Sequence, residues 1–228
     1  MENKELSVAS QKRLYSLDVL RGLDMFILVG GASLIVSLVQ FAGFEAEGLR
    51  VNLKEHVAWE GFRIHDLIFP LFMFVSGAAI PYSIQSKFEK GVPRKDLVVK
   101  SFKRMIVLIL LGILYNGGFR TGFDNARIAS VLGQIGIAYF LVTLIIMNTR
   151  FIRSQLIWLI SILTGVAVIQ LFVPVPGIGA GVLTPEGCIN GYIDRLFLPG
   201  RLHDKIFDPE GYLCIVSAAG ITLMGAIA

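Results

Sequence analysis

Residues 54–70, KEHVAWEGFRIHDLIFP, place two histidines, a tryptophan and several charged groups directly beside an apolar block. Histidine is the side chain best suited to proton transfer or nucleophilic attack near neutral pH, because its charge changes there. Tryptophan anchors at membrane interfaces and lines pockets, so we expect Trp59 to contact a substrate. His56 is a candidate catalytic residue, and the alternative interpretation is a solvated loop histidine.

Two further residues of this segment begin the apolar block. Asp66 lies where an acid complements the dipole of a helix N-terminus, so capping is a complete explanation for it. His65 adjoins Asp66, but consecutive residues on a helix do not face each other, and we rank His65 below His56.

Asp18, Arg21 and Asp24 recur at every third position of SLDVLRGLD. This spacing stacks them on one helical face and predicts an arginine held between two acids. The functional interpretation is an ionic latch at a cytoplasmic entrance, in which Asp18 and Arg21 contact substrate. The alternative is a membrane anchor with basic residues on its cytoplasmic flank.

A basic run at residues 87–104 includes Arg94, Lys95 and Arg104. It suits the phosphates of a nucleotide-like ligand such as coenzyme A, but membrane topology alone explains it equally well. The sequence contains no phosphate-binding loop or dinucleotide fingerprint. The net charge of +4 is accounted for by the basic flanks, so we expect no nucleic-acid partner.

The elements that position these residues are predicted to be membrane helices. Hydrophobic residues make up 54% of the chain and charged residues 17%, and the mean hydropathy is +0.69. Six uncharged apolar blocks have lengths near the roughly 20 residues that a helix needs to cross a bilayer. They predict an all-α, polytopic transmembrane bundle, with blocks at residues 25–44, 67–86, 105–119, 128–149, 154–173 and 211–228.

Lysine and arginine predict the orientation, because short cytoplasmic loops carry excess positive charge. Residues 1–21, 87–104 and 150–153 are basic and are predicted to be cytoplasmic. We divide the chain into a cytoplasmic segment, residues 1–22, and a transmembrane domain, residues 23–228. The external loop 174–210 is long enough to cover an external binding site, and we expect its Asp194 and Arg195 to contact the substrate. The chain ends inside an apolar run, so we expect it to be part of a longer protein of roughly ten helices.

The remaining polar residues predict structure rather than chemistry. Gln134 lies in the fourth block, where hydrogen bonding between helices is its default role. Cys188 and Cys214 are too few for a disulfide framework and lack the spacing of metal ligands, so we expect no metal and give a disulfide little weight.

Four ordered stretches resemble the heparan-alpha-glucosaminide N-acetyltransferase family and its bacterial relatives. The stretches are RLYSLDVLRGLDMF, HVAWEGFRIHDLIFPLFMFVSGAAI, RIASVLGQIGIAYF and GYIDRLFLPGRLHDKIFDPEG. Together they cover nearly the whole chain, and their order is more specific than any one of them.

The resemblance implies an inner-membrane enzyme that transfers an acetyl group from cytosolic acetyl-CoA to an amino sugar or glycan on the far side. The family's active histidine falls on His56, three residues before Trp59. It acts as nucleophile or as general base, and the sequence does not choose between them. Asp66 is then a candidate for orienting the imidazole, and the basic residues Arg94, Lys95 and Arg104 for binding the donor. Whether the protein forms a homodimer is a question that the resemblance leaves open.

The chain departs from the family at two positions. Ala32 replaces an asparagine that assists the active histidine, and Gln134, a candidate donor contact, replaces an arginine. Gly30 and Gly31 are expected to leave room in the first helix. These departures keep two alternatives open, a permease for a sugar-like solute and a non-catalytic membrane scaffold.

Overall fold

The computed structural model describes residues 15–120, 122–123, 125–203 and 205–228, and the regular secondary structure of this part of the chain is helical apart from two isolated β-bridges. A π-helical segment, Ile27–Gly31, joins the first two helices. The all-α prediction is confirmed. The helices are α1 (Tyr15–Phe26), α2 (Ala32–Phe41), α3 (Glu47–Lys54), α4 (Ile64–Glu89), α5 (Arg94–Tyr115), α6 (Val131–Asn148), α7 (Ile152–Phe172), α8 (Ile189–Phe197) and α9 (Tyr212–Ile227).

Each of the six predicted apolar blocks lies largely within a helix. Among the described residues, four helical stretches are long and apolar enough to cross a bilayer: Tyr15–Phe41, Ile64–Glu89, Val131–Asn148 and Ile152–Phe172. The helices of the third and sixth blocks, α5 and α9, do not meet these criteria, for different reasons. Helix α9 has only 16 residues, and α5 extends the third block into the basic run, so its first half is charged. The chain is a membrane protein, as its composition predicts.

The first helix begins earlier than its apolar block. It starts at Tyr15 rather than near Met25, so residues 15–22 of the predicted cytoplasmic segment are helical. Asp18 and Arg21 therefore lie within α1. Lys4, Lys12, Arg13 and Asp204, which the topology and loop predictions used, lie outside the described residues.

The first helical stretch bends at Gly30, whose backbone leaves the helical region (φ 161°, ψ −5°). A Cβ at Gly31 would lie 2.4 Å from the Phe26 ring, so that ring fills the space beside Gly31. The expectation of open room at both glycines is therefore wrong at Gly31, where an aromatic side chain takes the place of the missing one.

The core forms where α4, α6 and α9 meet. Its fully buried members include Met73 and Ile80 from α4, Val142 from α6 and Leu223 from α9. Glycines allow α4 and α9 to pack backbone against backbone, because a Cβ at Gly77 would lie 1.9 Å from the carbonyl oxygen of Thr222. Small residues at such crossings are typical of membrane helix pairs.

Candidate active site

A hydrogen-bonded histidine–aspartate pair lies in the connection between α3 and α4. The Nδ1 atom of His56 is 2.7 Å from Oδ1 of Asp66, and Oδ2 of Asp66 accepts a hydrogen bond from the Arg63 backbone N–H at 2.9 Å. An ionised carboxylate only accepts hydrogen bonds, so Nδ1 of His56 carries the proton. The lone pair of the imidazole is therefore on Nε2.

Asp66 makes the contacts that both of its possible roles require. One carboxylate oxygen caps the N-terminus of α4 through Arg63, and the other contacts His56. The carboxylate is 22% exposed, whereas the His56 side chain is 71% exposed. The pair thus combines an imidazole open to solvent with a partner fixed to a helix.

Further contacts hold the backbone of this loop. Nη1 of Arg63 donates to the His56 carbonyl at 2.8 Å and lies 3.4 Å from Oε2 of Glu55. Glu55 also pairs with Arg50 on α3 at 2.8 Å. Each such exposed ion pair contributes little alone, because solvent screens it. Together they link the loop to α3.

A second histidine lies beside the first. The ring centroids of His56 and His65 are 4.5 Å apart, and the ring planes are tilted by 58°. Nδ1 of His65 is 3.0 Å from the carbonyl oxygen of Leu53, near the end of α3. A carbonyl only accepts, so this nitrogen also carries its proton. The spacing of the residues in the sequence does not predict the contact between the two histidine rings, because His56 lies in a loop whereas His65 lies in α4.

Trp59 connects the histidine loop to a cavity of about 330 Å³ beneath the loop 174–210. Its indole N–H donates to the Leu183 carbonyl at 2.7 Å, and its ring meets Phe207 edge-on with centroids 5.1 Å apart. The expectation that this loop covers a binding space is consistent with the cavity. The lining comprises Trp59, Gln170, Leu183, Cys188, Ile189, Asn190, Phe207, Asp208, Pro209 and Cys214.

Polar side chains of the cavity wall bond to one another. Gln170 donates to Asn190 at 3.1 Å, and Asn190 lies 3.6 Å from the sulfur of Cys214. Cys188 and Cys214 both line the cavity as free thiols.

A buried ionic cluster adjoins the cavity through Asp208. Nε and Nη2 of Arg127 bond both oxygens of Asp208 at 3.0 and 2.8 Å, and Arg127 also bonds Glu210. The Asp208 side chain is fully buried. Burial and the nearby Asp208 carboxyl raise the pKa of Glu210 to about 7, against the opposing effect of Arg127.

The predicted external residues Asp194 and Arg195 bond within the protein. Asp194 is 1% exposed and accepts a hydrogen bond from the Tyr212 backbone N–H at 3.0 Å. Burial raises the pKa of this carboxyl. Arg195 donates to the Ile206 carbonyl. Asp194 therefore ties the external loop to the start of α9, Arg195 holds two parts of that loop together, and neither residue lines the cavity.

The latch predicted in α1 is absent. Within the described part of the chain, Arg21 forms no ion pair with Asp18 or Asp24. Asp24 is buried, at 3% exposure, whereas Asp18 is exposed, so the helix turns them toward different surroundings. Arg21 also lies 20 residues before Phe41, where the helical stretch that precedes the His56 loop ends, and 20 residues of helix are about 30 Å long.

The predicted donor residues divide into two groups. Arg94 and Lys95 are exposed in the first turn of α5, and Arg104 lies over the Tyr139 ring at 4.4 Å. Gln134 is buried and donates to the Cys214 carbonyl at 3.1 Å, which joins α6 to α9. The prediction that Gln134 forms a hydrogen bond between helices is therefore confirmed, and its amide nitrogen is engaged in that bond.

The Arg127 cluster was not among the predicted site residues. Its members lie in two of the four family stretches, RIASVLGQIGIAYF and the one ending in DPEG. Those stretches were the available signal, but 81 residues separate Arg127 from Asp208, and no local periodicity joins them.

Fold and site together define an all-α membrane protein with a solvent-accessible histidine–aspartate pair at the start of a spanning helix. Residues 13–120 match a domain of unknown function, DUF5009. The chain is similar to heparan-alpha-glucosaminide N-acetyltransferase from Mus musculus, with 28% identity over 95% of this chain and 38% of the relative. The enzyme of the same name from Homo sapiens is also 28% identical, over 93% of this chain and 37% of the relative. The resemblance inferred from the four stretches is confirmed. The chain spans less than two fifths of the length of these curated relatives.

Proposed function

We propose that this chain belongs to an integral membrane acyltransferase that moves an acetyl group from acetyl-CoA to an amino sugar or glycan across the membrane. The observation that carries the proposal is the His56–Asp66 pair, which leaves Nε2 of an exposed imidazole free to act. The similarity to two N-acetyltransferases over almost the whole chain supports it.

His56 Nε2 serves both mechanisms that the sequence leaves open. As a general base, it accepts a proton from the acceptor amine while the amine nitrogen bonds to the acetyl carbon and the C–S bond of acetyl-CoA breaks. As a nucleophile, it bonds to the acetyl carbon and coenzyme A leaves as the thiolate; the amine then bonds to the acetyl carbon, displaces the imidazole and passes its proton to the freed Nε2. In both routes Asp66 stabilises the positive charge that develops on the ring.

The donor is proposed to bind at the opposite end of α4. That helix has 26 residues and is about 39 Å long, and it separates the His56 loop from Arg94 and Lys95. The exposed guanidinium and ammonium groups suit the phosphates of coenzyme A. Arg104 is a further candidate, whereas the amide of Gln134 is engaged with α9.

On this proposal the donor first binds by its phosphates at this end, and its thioester then moves into the helix bundle to reach His56, so that the acetyl group crosses the membrane. We place the basic end of α4 and the N-terminus in the cytoplasm, and His56 on the extracytoplasmic side of the inner membrane. On this proposal residues 23–228 form the transmembrane domain, although the helix that leads into it begins at Tyr15.

The acceptor is proposed to bind next to Trp59. This side chain is 38% exposed, lies three residues from His56 and lines the cavity of about 330 Å³. Aromatic faces provide apolar contact area together with a defined orientation, which suits the carbon face of a sugar ring. Asp194 and Arg195 act at a distance in this proposal, by holding the loop that closes the cavity.

The test is acetyl transfer from radiolabelled acetyl-CoA to glucosamine by the purified full-length protein. We expect His56→Ala to lose the activity and His203→Ala, which alters an exposed histidine, to keep it. Wild-type protein that labels no amino sugar would contradict the proposal. Flux of unmodified sugar through reconstituted protein would then favour a permease, and absence of both activities a scaffold.

A further inference from the structure

We propose that His65 is a positioning residue for the imidazole of His56, an inference that rests on the proposed function. His56 lies in a loop and is 71% exposed, and Asp66 is the hydrogen-bond partner of its ring among the described residues. One hydrogen bond at Nδ1 fixes one edge of an imidazole but leaves the ring free to swing about that contact. A second contact is needed to fix the direction of Nε2.

His65 supplies that second contact. Its ring is tilted by 58° against the His56 ring at a centroid distance of 4.5 Å, which is within the range of packed aromatic pairs. The two contacts come from different directions, because Asp66 and His65 are consecutive residues of α4 and point to different sides of it.

The ring of His65 is itself held at two points. Its backbone belongs to the first turn of α4, and its Nδ1–H donates to the Leu53 carbonyl at 3.0 Å. Leu53 lies near the end of α3, so His65 is fixed to both helices that flank the loop. The loop histidine thus packs against a rigid neighbour. Misplacing a reacting group by about 1 Å costs about 100-fold in rate.

A purely structural role makes a different prediction. If His65 only joins α3 to α4 through Leu53, a residue that keeps the hydrogen bond is sufficient. If it positions His56, a residue that keeps the ring is required. His65→Asn keeps an N–H donor for the Leu53 carbonyl without a ring, and His65→Phe keeps a ring without the donor.

The experiment compares these two variants and His65→Ala in full-length protein reconstituted in bilayers. We expect kcat for acetyl transfer to fall about 10- to 100-fold in His65→Asn and His65→Ala, with KM for both substrates within about twofold of wild type. His65→Phe should retain most of kcat. A value of kcat in His65→Asn equal to that of wild type would overturn the inference.

A measurement that needs no activity separates this inference from the proposed function. Solid-state NMR of protein labelled with ¹³C,¹⁵N-histidine reports the order of the His56 ring, assigned by its loss in His56→Ala. We expect the ring order parameter to fall in His65→Asn and to be kept in His65→Phe. An unchanged parameter in His65→Asn and His65→Ala would refute positioning, whereas an ordered ring without acetyl transfer would refute the proposed function alone.

Discussion

Replacing Arg127 by alanine should destabilise the protein more than any other single charge removal in the loop region around the cavity. The guanidinium is 14% exposed and bonds both oxygens of Asp208, whose side chain is fully buried. Without it, Asp208 keeps hydrogen bonds from the His203 and Glu210 backbone N–H groups. A buried carboxylate is then left without a counter-ion.

The size of the effect follows from that burial. Removing one partner of a buried ion pair costs about 3–5 kcal/mol. We expect a value near the lower limit, about 3 kcal/mol, because Asp208 retains two backbone donors. For a chain of this size, each kcal/mol lowers the midpoint of thermal unfolding by about 2–4 °C. The expected decrease is therefore about 6–12 °C.

Thermal unfolding in detergent, followed by tryptophan fluorescence, measures this decrease. Trp59 is a suitable reporter because it contacts Phe207, which adjoins Asp208. Arg201→Ala is the matched control, since it removes the same charge from an exposed position in the loop that carries Asp208 and should cost no more than about 0.5 kcal/mol. Equal midpoints for Arg127→Ala and Arg201→Ala would refute the reasoning.

Three other predictions follow from single contacts. Glu210 has a folded-state pKa of about 7, above its ordinary value of 4.5, so its contribution to stability is present below pH 4.5 and is lost as pH rises through 7. Wild type should therefore unfold at a lower temperature at pH 8 than at pH 6, and Glu210→Gln should reduce this difference; an equal difference in the variant would contradict the assignment. Gly77→Ala should lower the free energy of unfolding by about 1–3 kcal/mol, because its Cβ would lie 1.9 Å from the Thr222 carbonyl oxygen. Gly165→Ala is the control, since its Cβ would have no atom within 4 Å and the change should be neutral or stabilising. Equal unfolding midpoints for the two variants would refute the close approach. Asp66→Asn should keep the helix cap but lower kcat by about 100-fold, because the asparagine amide can donate to Nδ1 of His56 and move the imidazole proton to Nε2. If kcat and its pH profile were unchanged, the role of Asp66 would be helix capping alone.

The helices were predictable from sequence because each is long and apolar. Uncharged runs of residues report the location of membrane helices directly, and all six runs lie largely in helices. Their ends were less predictable. The first helix continues to Tyr15 through Asp18, Arg21 and Asp24, since charged residues at the edge of a bilayer can extend a helix beyond its apolar part.

The candidate site was only partly predictable. His56 and Asp66 are ten residues apart, and a turn brings them together, so helical spacing could not pair them and the family stretches were needed. The ionic latch of α1 was predicted from spacing alone and is wrong, because a shared face permits an ion pair but does not require one. Asp194 was predicted to face a substrate, but its burial is set by contacts with α9, which is distant in sequence.

The most direct test of the account uses full-length protein in sealed vesicles, with radiolabelled acetyl-CoA on the side of Arg94 and Lys95 and glucosamine on the other. The account predicts label on the sugar with wild-type protein and none with His56→Ala. It also predicts no label when acetyl-CoA is supplied only on the His56 side. Equal labelling by wild type and His56→Ala, or transfer only when both substrates are on the His56 side, would contradict it.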